Sequence, residues 1–93
     1  RREFDLGGGR VAVVRAARPE HLPFIHAASG AAAESISDLL LLQKWCVKWG
    51  IESVTPPIEG VAAKQGDFYA DELLQRIDPR VMTEIACFVM DQR

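Results

Sequence analysis

The stretch AAESISDLLLLQKWCVKWG, residues 32–50, decides how this chain is read. Ile36, Leu39, Leu42 (or Leu40), Cys46 and Trp49 recur at steps of three and four, the spacing of one buried helical stripe. Glu34, Asp38, Lys44 and Lys48 lie broadly opposite. Acids come first and lysines last, as a helix dipole favours. The pattern predicts one long helix over residues 32–49, with Gly50 stopping it in the left-handed conformation that glycine adopts cheaply. Trp45 sits about 100° round from Cys46, toward the polar face, one turn after Leu41. The Leu41–Trp45 pair is therefore surplus to the stripe. It forms either a second packing face under an N-terminal hairpin or an exposed anchor for a partner.

The 93 residues make one small domain with a thin core. Hydrophobic residues at 48% and charged residues at 26% are too apolar a mixture for disorder. A net charge of -2 lacks the clustered cations that displace counterions from phosphate, which argues against nucleic acid as a partner. No apolar run approaches the roughly twenty residues a membrane span needs. The arginines of RREFDLGGG lack the apolar segment of a signal peptide. Because the chain opens on Arg1 and the helical pattern is still running at Arg93, the expectation is a fragment of a longer protein, or a processed one. Cys46 and Cys87 fall on apolar helix faces and are expected to be buried, reduced thiols of a cytosolic protein.

Around the long helix the expected fold is α+β: a short N-terminal β-hairpin packed on a mainly helical domain of about four helices. Gly7-Gly8-Gly9, flanked by segments rich in Val and Phe, predicts the hairpin turn. Val11 and Val13 would share one face of its second strand, and Arg10, Ala12 and Val14 the other. Arg18-Pro19-Glu20-His21 opens a short helix that Ser29-Gly30 ends or kinks. Residues 51–54 are a candidate third strand, and residues 55–66 a surface loop. Asp67 can cap a helix through about Ile77. Asp78 and Pro79 start the last helix as N-cap and first helical residue, with Val81 or Met82, Ile85, Phe88 and Val89 as its apolar face.

Chemistry-bearing constellations are missing from the pattern. The glycine triplet has no Lys-Ser/Thr after it and leads into a strand, so no helix N-terminus follows to hold a phosphate. His21 and His26 are five apart, where zinc-binding histidines of one helix want three or four, and neither cysteine completes a set. Cys46 lies near a helix C-terminus, where the dipole disfavours a thiolate. Ser29, between His26 and Gly30, has no nucleophile elbow. Asp71, Glu72 and Glu59 read as solvating charge. These readings point to a non-enzymatic chain with no metal and no cofactor, whose candidate functional residues are Leu41 and Trp45.

The run LLQKWCVKWGIESV, a Pro/Gly-rich loop, and FYADELLQRIDPRVMTEIACFV together resemble small tail-assembly proteins of tailed bacteriophages, related to tail assembly chaperones. The likeness spans roughly residues 39–90 and rests on Trp45, Trp49, Leu73-Leu74, Pro79 and Ile85. It implies a protein of the host cytoplasm that does no chemistry and binds other phage structural or assembly proteins, the tape-measure protein among them, or a second copy of itself. The alternatives are a virion or head-tail joining protein built into a ring, and a small ligand-binding or enzyme domain.

Overall fold

A computed structural model describes residues 1–62 and 64–91. Arg93, to which the helical pattern is expected to run, lies outside the described residues. The chain is α+β: a three-stranded antiparallel sheet packed against helices. Strand β1 (Arg2–Gly7) and strand β2 (Arg10–Val14) form the hairpin, and all three glycines of its turn take positive φ, as the triplet predicts. Strand β3 (Ile51–Thr55) pairs with the other edge of β2, setting Ala12 opposite Val54, so β2 is central. The predicted alternation holds, with Ala12 and Val14 buried on the core side.

Two helices follow β2 as an antiparallel hairpin. A 3₁₀ turn, Pro19–His21, leads into α1 (Leu22–Ala32), which runs through Ser29 and Gly30 instead of stopping there. The break comes at Ser35, whose extended backbone and hydroxyl cap helix α2 (Ile36–Gly50); the Ser35 Oγ accepts from the Asp38 N–H at 3.4 Å. The long helix is thus shorter at its start than its periodicity suggests. Its stripe is corrected as well: Leu42, Cys46, Val47, Trp49 and Gly50 are buried, whereas Ile36 and Leu39 are exposed. The part of α2 before Leu42 extends past the core, so an apolar period there stays exposed to solvent.

After β3 the chain makes a long loop. Asp67 does not cap a helix. Gln65 and Phe68 exchange backbone hydrogen bonds across it, and the Tyr69 N–H is committed to the Lys48 carbonyl at 3.1 Å. With these donors engaged elsewhere, only a 3₁₀ segment, Asp71–Arg76, forms before the last helix. Asp78 and Pro79 then start α3 (Pro79–Met90) as predicted, the Asp78 carboxylate accepting from the Arg80 N–H at 2.8 Å. Ile85, Ala86 and Val89 face the core, and Phe88 meets Phe4 of β1 edge-on, ring centres 5.9 Å apart. Among the described residues no helix is long and apolar enough to cross a membrane.

Gly50 has a different role from the one its position predicts. Its φ is not positive. A Cβ there would instead overlap Cγ2 of Val89 and come within 3.5 Å of Val14, so glycine is required by the close approach of α2, α3 and β2. Gly50→Ala is expected to destabilise by about 1–3 kcal/mol through overpacking, and Val89→Ala in the same chain should recover part of that loss. Urea denaturation of the single and double variants checks it; additive losses would mean the crowding lies elsewhere.

Candidate partner-binding face

Trp45 and Trp49 sit one turn apart on α2 and stack with parallel planes, centroids 5.7 Å apart. The His21 imidazole meets both indoles edge-on, at 5.4 Å from Trp45 and 4.7 Å from Trp49. His21 is held there by its own turn, because the Arg18 N–H donates to its Nδ1 at 3.1 Å. The Arg15 guanidinium covers Trp49 at 3.8 Å from the ring centre, and its Nε donates to the Trp49 carbonyl at 3.1 Å. Trp49 is therefore buried and anchored to the N-terminal segments.

Trp45 is half-buried, and its ring contacts come from Phe24 of α1 at 4.8 Å and Phe68 of the loop at 6.5 Å. It neither tucks under the hairpin nor stands free in solvent. One side is fixed in the aromatic stack and the other borders a surface hollow of about 300 Å³ lined by Leu41, Lys44, Trp45, Lys48, Phe68 and Asp71. At the rim Lys48 Nζ donates to the Asp71 carboxylate at 2.6 Å, which holds that carboxyl below the usual range. Leu41 remains 63% exposed. The described residues with large apolar side chains left exposed are Phe24, Ile36, Leu39, Leu40, Leu41 and Phe68. Five of the six lie on the α1–α2 hairpin, and Phe68 packs on its Trp45. The candidate residues Leu41 and Trp45 are thus brought together on one apolar face, which Phe24 and Phe68 extend. Phe68 gave no periodic signal because it lies in an irregular loop.

The two cysteines part company. Cys46 is buried, and burial, with a lesser contribution from Cys87, pushes its thiol up to about 12. Cys87 is exposed, contrary to its sequence reading, because Ile85, Ala86 and Val89 define the inward side of α3 and residue 87 falls outside that arc. Residues 53–73 also contain a feature the sequence did not signal. Lys64 lines an apolar hollow of about 330 Å³ with Val54, Ile58, Val61, Tyr69 and Leu73. Its Nζ donates to the Ile51 carbonyl at 3.0 Å, and burial lowers its pKa. Arg15 adds to that lowering, while Asp67 and Glu52 oppose it. No three His, Cys, Asp or Glu side chains among the described residues gather as a metal site. No family model, curated protein or solved structure matches the chain.

Three measurements probe this geometry. An alkylating reagent should modify Cys87 rapidly in the native protein and Cys46 only on unfolding. Since the Cys46 thiol ordinarily titrates near 9.0 and is raised to about 12 in the fold, its protonated form is favoured by folding. Stability relative to a Cys46→Ala variant should therefore be constant below about pH 9 and fall as pH rises from there toward 12. Separately, Trp49→Ala should cost about 3–5 kcal/mol in a thermal or urea melt. A near-unchanged melt would show that the Arg15–Trp49–His21 assembly does not hold α2 in place.

Proposed function

We propose that this domain is a non-catalytic phage tail-assembly protein that binds other tail proteins through the apolar face of its α1–α2 hairpin. The observation that carries the reading is the exposed leucine-rich half of α2, Leu39 to Leu41, beside a half-buried Trp45 and a shallow hollow. Sheet, α3 and the second half of α2 all bury their apolar sides, so the exposure is confined to one place. A ridge of leucines next to an aromatic-walled hollow is the surface on which an amphipathic helix docks, with aromatic residues as anchors. The tail-assembly class comes from the resemblance of residues 39–90, one of whose tryptophans, Trp45, borders this face. Host cytoplasm is the compartment that this reading carries with it.

Leu41 separates binding from folding better than Trp45, because Trp45 also belongs to the stack. Leu41→Ala is expected to change stability by no more than about 0.5 kcal/mol, as for an exposed position. It should weaken binding to the tail protein it serves, the tape-measure protein first among those to try, by about tenfold or more. Titration calorimetry with purified tail proteins, and a melt of the same variant, make the comparison. Unchanged affinity for a bound tail protein would remove the face from the mechanism. Recovery of the chain in finished particles would assign it to the virion instead.

A further inference from the structure

We infer that the hairpin end of the sheet carries a second site, separate from the α1–α2 face, where Arg10 and Arg76 hold the carboxylate of a small organic acid with an apolar body. Residues 10, 12 and 14 of β2 alternate onto one side of the sheet, and Ala12 and Val14 are buried there. Arg10 thus enters the core-facing side at the first position of the strand, beside the hairpin turn. Its Nε is buried with no hydrogen-bond partner among the described residues. A buried donor on a charged group is costly to leave unmade, and native folds seldom do so. Arg76 lines the same hollow of about 310 Å³, together with Leu6, Ile58 and Glu59. A Cβ at Gly8 would lie 3.8 Å from Arg10 Nη1, and one at Gly60 would lie 3.3 Å from Arg76 Nη2. The two guanidiniums therefore rest against the turn and the loop that flank the hollow. Neither is in an ion pair among the described residues.

A guanidinium fork matches carboxylate and phosphate alike, so charge has to decide between them. Two arginines against Glu59 leave the lining with one net positive charge, which a carboxylate neutralises and a phosphate dianion exceeds. The neighbouring hollow supplies the other half of the ligand. Ile58 also lines the apolar recess of about 330 Å³ formed with Val54, Pro57, Val61, Tyr69 and Leu73. Lys64, the cation of that recess, already donates to the Ile51 carbonyl at 3.0 Å, which leaves the acid head to the arginines. A chain leaving the carboxylate passes over Ile58 onto apolar walls, and Arg10 Nε gains the acceptor that the fold does not provide. A few polar groups for orientation beside apolar walls for contact is the division found in small-molecule sites. None of these residues lines the hollow beside Leu41 and Trp45, so the site stands or falls apart from the partner-binding reading.

Octanoate is the probe, followed by titration calorimetry and by methyl NMR of Leu6, Ile58 and Val61. It should bind saturably and one to one, shift those three residues and leave Leu41 unmoved. Octanamide, its neutral isostere, acetate, which lacks the apolar body, and inorganic phosphate should each bind about tenfold more weakly or worse. Arg10→Met and Arg76→Gln should each weaken octanoate by about tenfold or more. Arg10→Met keeps an apolar stem and removes the unpartnered Nε, so the free variant should melt no lower than wild type. Arg76 is exposed, so Arg76→Gln reads binding in a folded chain whatever Arg10→Met does to the melt. Absence of saturable octanoate binding, or affinity retained by Arg76→Gln, overturns the inference. A lower melt of free Arg10→Met with octanoate affinity intact would make that arginine structural and overturns it too. Octanamide as tight as octanoate would leave only an apolar hollow, and phosphate tighter than octanoate would make it a phosphate site; either result overturns it.

Discussion

The end of α2 is the constraint on which the other elements depend. A helix leaves its last four carbonyls without helical partners, and buried orphans are costly. Here the Val47 carbonyl accepts from the Ile51 N–H as the chain turns straight into β3. The Lys48 carbonyl takes the Tyr69 N–H, Trp49 takes Arg15 Nε, and Gly50 takes the Arg15 N–H at 2.9 Å. Two distant parts of the chain, at Arg15 and Tyr69, thus supply the cap beyond the adjoining strand. The same crossing lets the Ala17 N–H reach the Val89 carbonyl of α3 at 2.8 Å. A side chain at residue 50 would wedge these segments apart, which is why glycine stands there.

That arrangement divides α2 into two unequal halves. From Leu42 onward it is gripped by the sheet, by α3 and by the Arg15–Trp49–His21 assembly. Before Leu42 it runs beside α1, which buries Ile25 alone. The described residues cover the second half and leave Leu39, Leu40 and Leu41 of the first exposed. Its apolar leucines are therefore stranded by geometry at the free end, and an apolar group left in water on a rigid helix is a standing drive toward association.

Much of the fold was legible because its signals are local. The glycine triplet dictates a turn, Asp78-Pro79 dictates a helix start, and the β-branched residues at 51–54 fall in a strand that the alternation of β2 was ready to pair. Leu41 and Trp45 stood out because they break a helical stripe, which is again a local comparison. What escaped depends on partners far away in sequence. The role of Gly50 is set by Val89, the failure of Asp67 to start a helix by Lys48, and the anchoring of Trp49 by Arg15, 34 residues earlier. Ile36 and Leu39 have the right period for a core that ends before it reaches them. Cys87 differs from a buried position by about one helical step, less than periodicity alone can resolve when several neighbours are apolar.

The charges of α2 are ordered along its axis and do not share one face. Acids early and lysines late stabilise a helix through its dipole by a few tenths of a kcal/mol each. Asp38 comes one turn before the buried Leu42 and so lies toward the core side, whereas Lys44 lies on the side away from it. Of the late lysines, Lys48 is already held by the Asp71 carboxylate at 2.6 Å. The gradient is accounted for by the helix ends it stabilises, and what α2 leaves in water is its leucines.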